Sequence, residues 1–165
     1  MEPQTIEEIL AHLIEEIGGD WLLAGGALVR LNFDADRGTE DIDLARMGHP
    51  TLSAQAALNE FYRWLIARGD GPERVNTAVE PFLEEVPHWN KEVVELRKGS
   101  RGRIYRPNLT LFVYLKLRRG TEIDLEDVRK AAPNCQEGFD EAKFLSWGNE
   151  ATSAKFRRAR KSLGL

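Results

Sequence analysis

An α+β fold, a small mixed sheet with flanking helices and a helical C-terminal part, is what three features of this 165-residue chain predict. Trp21–Ala24 and Asp41–Leu44 are short runs of strand character set among longer stretches of helical periodicity. Gly25-Gly26 joins the first run to a helical one. Beyond Pro107 only helical periodicity is left, so the chain divides into 1–106, an α/β core, and 107–165, a helical part packed on it within one compact domain.

Thr5 to Ile17 reads as an amphipathic helix, because Ile6, Ile9, Leu10, Leu13, Ile14 and Ile17 share one face. Thr5 with Glu8 forms a capping box, and Gly18-Gly19 ends the helix. Trp21–Ala24 follows as a buried strand, Ala27–Phe33 as a short helix, Asp34–Gly38 as a polar loop and Asp41–Leu44 as a second strand. Thr51–Ala67 is a long helix capped by Thr51, with Leu52, Ala56, Leu58, Phe61, Tyr62 and Leu65 on its apolar side; Gly69-Asp70-Gly71-Pro72 breaks it. Arg74–Val79 and Lys91–Leu96, the latter with β-branched Val93 and Val94, read as further strands. Pro81–Pro87 reads as loop and Arg97–Gly102 as a charged turn. Helices are expected over Leu109–Arg118, Leu125–Ala131, Glu137–Trp147 and Thr152–Leu163.

Bulk properties narrow the function classes. With 42% hydrophobic and 30% charged residues the composition is that of a soluble globular protein. A net charge of −4 excludes a wholly electrostatic nucleic-acid binder but not a local basic channel. Cys135 is the only cysteine, so there is no internal disulfide and no cysteine-based zinc site. No basic, apolar leader opens the chain and no uncharged apolar run reaches spanning length, so a cytoplasmic protein with no membrane partner is expected.

The chemistry lies in Gly25-Gly26 and in Asp41-Ile42-Asp43. Alternate strand residues share a face, so Asp41 and Asp43 project to one side while Ile42 and Leu44 face the core. Two carboxylates held close repel unless a cation joins them, and Mg²⁺ (or Mn²⁺) takes oxygen ligands together with substrate phosphate. Glycine lets backbone approach a ligand, and a helix starting there turns free N–H groups and positive dipole toward phosphate. Arg30, Arg37 and Thr39 are near enough in sequence to add phosphate contacts. A solvated D-x-D and a plain tight turn are the bland alternatives; the co-occurrence of both motifs at strand ends favours function.

The segment from Leu22 to Leu44, LLAGGALVRLNFDADRGTEDIDL, resembles the signature of the nucleotidyltransferase superfamily typified by DNA polymerase beta. Its Arg37–Asp43 stretch is similar to that of small prokaryotic nucleotidyltransferase-like proteins of toxin–antitoxin and abortive-infection modules. Tyr114–Arg119 followed by Asp124–Val128 resembles a second stretch of those proteins. The resemblance implies that Gly25 and Gly26 hold the phosphates of an NTP, that Asp41 and Asp43 are catalytic metal ligands, and that Lys116 lies near the triphosphate. It also places Asp124 and Asp127 at a helix start beside the cleft. Lys116 reads equally well as a snorkelling helix lysine, and Asp124 and Asp127 read as acids suited to a helix start.

The superfamily supplies a third carboxylate from a later strand, and here that position reads Asn76, which offers a carbonyl but takes no proton. Glu80 is the nearest substitute base, although a loop glutamate is its simpler reading; Glu92 and Glu95 come later. His12, His49 and His88 lie far apart and read as surface or packing residues. The basic run Lys155–Lys161 suits an RNA acceptor, an acidic partner or a solvated helix end. Four tryptophans read as packing before base stacking. The expectation is a metal-dependent nucleotidyltransferase acting on RNA, protein or a small molecule. Its rivals are a catalytically silent, antitoxin-like module that binds a partner protein, and a nucleic-acid binder using the basic helix.

Overall fold

The computed structural model describes residues 1–48 and 52–165 and has the expected α+β architecture, helices around one five-stranded mixed sheet. Strand β1 (Gly19–Ala24) lies at its centre, with Trp21 to Ala24 all buried, which covers both faces. It runs antiparallel to β2 (Ile42–Arg46) and parallel to β5 (Gly102–Pro107). Strand β3 (Val75–Asn76) lies parallel to β2 at one edge, and β4 (Val93–Lys98) antiparallel to β5 at the other, giving the order β3-β2-β1-β5-β4.

Helix α1 (Pro3–His12) continues through a π-turn (Leu13–Ile17), and all six of the apolar residues predicted for one face are buried. The helix starts before Thr5, because Pro3 suits its first turn. Thr5 therefore lies inside the helix and the Thr5–Glu8 capping box does not form; Glu8 accepts from Gln4 and Arg68 instead. Helix α2 (Gly25–Asn32) packs on β1 and β2, and α3 (Leu52–Ala67) on the π-turn, burying Phe61 and Leu65. His49 and the expected cap Thr51 lie outside the described residues, as does the Leu52 side chain.

Several elements differ from expectation. The Arg74–Val79 strand is cut to Val75–Asn76, because the Asn76 side-chain oxygen accepts from the Ala78 amide and turns the chain out of the sheet. Helix α4 (Glu80–Glu84) stands where loop was expected: Pro81 opens it and Leu83 is buried beneath it. The charged turn shrinks to residues 99–101, with β4 extending to Lys98 and β5 beginning at Gly102. Strand β5 was hidden by its polar composition, since Ile104 and Pro107 are its only fully buried residues.

The helical part holds α5 (Leu109–Arg119), α6 (Glu122–Ala131), α7 (Glu141–Ser146) and α8 (Glu150–Leu163). Asn108, Asp140 and Asn149 cap three of them, each accepting a backbone N–H. Helix α7 starts later than predicted because Asp140 provides that cap. Helix α6 starts earlier, through a Thr121/Asp124 capping box. Helix α5 is the hub of this part, packing on β5, α4, α6, α7 and α8. No helix among the described residues is long and apolar enough to cross a membrane.

The parallel β1–β5 pairing leaves no room for a side chain at Gly102, where a Cβ would lie 2.2 Å from the Gly19 carbonyl oxygen. Gly102→Ala is therefore expected to destabilise the protein by about 1–3 kcal/mol, as overpacking of a rigid contact does. Urea denaturation checks this, and an unchanged midpoint would contradict the pairing.

Candidate functional site

Asp43 owes its position to the sheet. On β2 it lies opposite Ala24, the last residue of β1, and beside Asn76 of β3. Its neighbours Ile42 and Leu44 are fully buried, so its own side chain emerges on the other face, toward the start of α2. There it rests on Gly25, which has φ +64°; a Cβ on Gly25 would lie 1.7 Å from Asp43 Oδ2. The glycine expected to clear space for phosphate thus also clears space for Asp43. Gly26 does the same for Thr39, whose Oγ1 would be 2.8 Å from an added Cβ.

Asp41 comes just before β2 and joins Asp43 in lining one wide polar cleft of about 1010 Å³. Asn76 Nδ2 donates to Asp41 Oδ2 at 2.9 Å. The residue standing where a third acid was expected therefore faces the pair as a donor, with its carbonyl turned to Ala78. Burial first, and the Asp41 charge second, raise the Asp43 pKa above the ordinary carboxylate value; the Asn76 amide, Lys116 and Arg119 offset this in part. A divalent cation shared by the two carboxylates would relieve their mutual repulsion. Among the described residues no three His, Cys, Asp or Glu side chains gather as a metal cage, so Asp41 and Asp43 would hold an ion only with oxygens from substrate or water.

A second carboxylate cluster flanks the first. Lys116 is 5% exposed; its Nζ lies 2.6 Å from Asp127 and 3.6 Å from Asp124. Arg37 Nε donates to Asp127 at 2.8 Å, and Arg119 binds Asp124 through two nitrogens at 2.8 and 2.6 Å. Burial opposes ionisation of Asp124, but its hydrogen bonds from Arg119 and Thr121 and the charge of Lys116 outweigh that and hold its pKa at about 2. Arg30 donates to the Arg37 carbonyl and Thr39 Oγ1 to that of Asp41, so residues 37–41 are strapped from several sides.

The structure thus brings Gly25, Gly26, Arg37, Thr39, Asp41, Asp43 and Lys116 around adjoining clefts, Gly25 and Lys116 beside Asp43 in a smaller apolar one and the rest in the polar one. Glu80 is not brought there: its Oε1 accepts from the backbone N–H of Arg46, three residues along β2 from Asp43. Arg119 and Phe82 line the clefts without having been singled out from sequence. A signal for Arg119 existed, since Lys116/Arg119 and Asp124/Asp127 repeat one i,i+3 spacing across a short turn, the pattern of an antiparallel helix pair. Phe82 lay in a segment read as loop, with nothing to mark it.

Set against known proteins, the chain matches no family model, no curated protein and no solved structure.

The raised pKa makes a signed prediction. Folded Asp43 holds its proton more tightly than unfolded Asp43, so its contribution to stability is full below the ordinary value of 3.8 and is lost as pH rises through the folded pKa. Free of divalent ions, Asp43→Asn should exceed the wild type in stability at neutral pH, with the gap closing on acidification toward 3.8. Guanidinium titrations at several pH values check this; a gap that widens in acid would contradict it.

Proposed function

We propose that the clefts meeting at Asp43 bind an NTP with Mg²⁺ or Mn²⁺, and that the chain is a nucleotidyltransferase-like enzyme. It would move a nucleotide to an acceptor hydroxyl on RNA, protein or a small molecule, breaking the α–β phosphoanhydride bond and releasing pyrophosphate, as in toxin–antitoxin systems. One observation carries the reading: the Asp43 carboxylate sits against the glycine start of α2, with Asp41 lining the same cleft. Asp41 and Asp43 would hold the cation, which supplies charge neutralisation at the phosphoryl centre. Gly26, Arg37 and Thr39 line the polar cleft; Arg37 and Thr39 would exchange their bonds to Asp127 and to the Asp41 carbonyl for phosphate oxygens. With Asn76 unable to take a proton and Glu80 engaged by Arg46, the proton of the acceptor hydroxyl would leave through water.

A silent, partner-binding protein of the same fold is the second reading, and the donor face that Asn76 turns to Asp41 favours it. Incubation of the protein with each labelled NTP, Mg²⁺ and cell extract separates the two. The enzyme reading expects label transfer by the wild type, abolished in Asp41→Ala/Asp43→Ala. NTP binding without transfer would support the silent reading, and equal labelling by both proteins would contradict the enzyme.

A further inference from the structure

Beside the polar cleft lies a smaller one of about 320 Å³, with Ala78, Val79, Phe82, Phe112 and Leu115 in its wall. Asp43 and Arg119 line both, so the two adjoin at Asp43. The cations at the small cleft are already spent: Lys116 on Asp127, Arg118 on Glu85 and Arg119 on Asp124, each with an N···O distance of 2.6 Å. Anion capture is thus not what this cleft offers. Its offer is apolar surface and an aromatic face, for Phe82 is 42% exposed, large for a phenylalanine in a folded protein. The Arg118 guanidinium lies over the Phe82 ring at 5.6 Å, which steadies it at the rim.

We infer that the apolar cleft is a subsite for the nucleobase of the bound nucleotide, whose phosphates run past Asp43 into the polar cleft. The inference rests on the nucleotide reading above and adds where the base goes and how it is read. The polar side chains of the lining are Asp43, Asp124, Lys116, Arg118 and Arg119, and all but Asp43 are already held in ion pairs rather than free to read a base edge. The subsite therefore grips a ring through stacking and burial, which every base supports, and discriminates weakly among the four.

The test compares ATP, UTP and inorganic tripolyphosphate, each with Mn²⁺, by calorimetry on the wild type, Phe82→Ala and Ala78→Trp. Both positions are exposed at the rim, so neither change strains the core. ATP and UTP are expected to bind the wild type within about 10-fold of each other. Both variants are expected to weaken them by about 5-fold or more, the scale of one lost stacking partner, with tripolyphosphate unaffected. Unchanged nucleotide binding, or equal losses for nucleotide and tripolyphosphate, would overturn the subsite. Should neither NTP nor tripolyphosphate bind the wild type, the nucleotide reading falls. The ring subsite is then judged by 1-anilinonaphthalene-8-sulfonate: fluorescence enhancement by the wild type, lost in Ala78→Trp, upholds it, and no such difference removes it.

Discussion

The contact between the Asp43 carboxylate and the bare Cα of Gly25 governs the geometry of the site, and the hydrophobic core enforces it. Strand β2 buries Ile42 and Leu44 completely on the face opposite Asp43. A slip of one residue would expose both and bury the acid. Each buried aliphatic side chain is worth about 1.5–3 kcal/mol, so the two together oppose the desolvation of one half-buried carboxylate and its repulsion from Asp41. The core thus holds negative charge where it is unfavourable. Gly25 is the residue that lets the sheet and α2 close around that charge, because any Cβ there would occupy the place of the carboxylate oxygen.

The ionic cluster between α5 and α6 works on the other side of the cleft by a different rule. Asp124 and Asp127 are 0% and 1% exposed, and such pairs add little net stability against a well-packed apolar alternative. Their value is positional. Losing one partner of a buried pair costs about 3–5 kcal/mol, enough to keep Arg37 and Lys116 in place. Asp127 joins a loop of the sheet region to α5 and α6, so the helical part helps to shape a cleft whose acids come from the sheet.

Strong periodicity or glycine makes α1, β1, β2 and α5 legible in the sequence, although Asp41 falls just outside the strand that carries Asp43. Strand β5 was not, because only Ile104 and Pro107 of Gly102–Pro107 are fully buried and a half-exposed strand leaves no apolar signature. Asn76 was recognised as a departure, but its effect was not: that its amide would turn its donor to Asp41 depends on the Ala78 amide claiming the carbonyl. Glu80 looked available in sequence because neither α4 nor the Arg46 amide that engages it could be seen there. A local bond, Ala78 to Asn76, fixed the donor face of the asparagine, whereas the partner of Glu80 comes from a distant strand.

Everything chemical in this account presumes that Asp41 and Asp43 jointly bind one divalent ion. Titration of the metal-free protein with Mn²⁺, followed by electron paramagnetic resonance at neutral pH, measures that directly. One saturable ion is expected in the wild type, lost in Asp43→Asn and in Gly25→Ala. Equal Mn²⁺ binding by the wild type and these variants, or none by any of them, would contradict it.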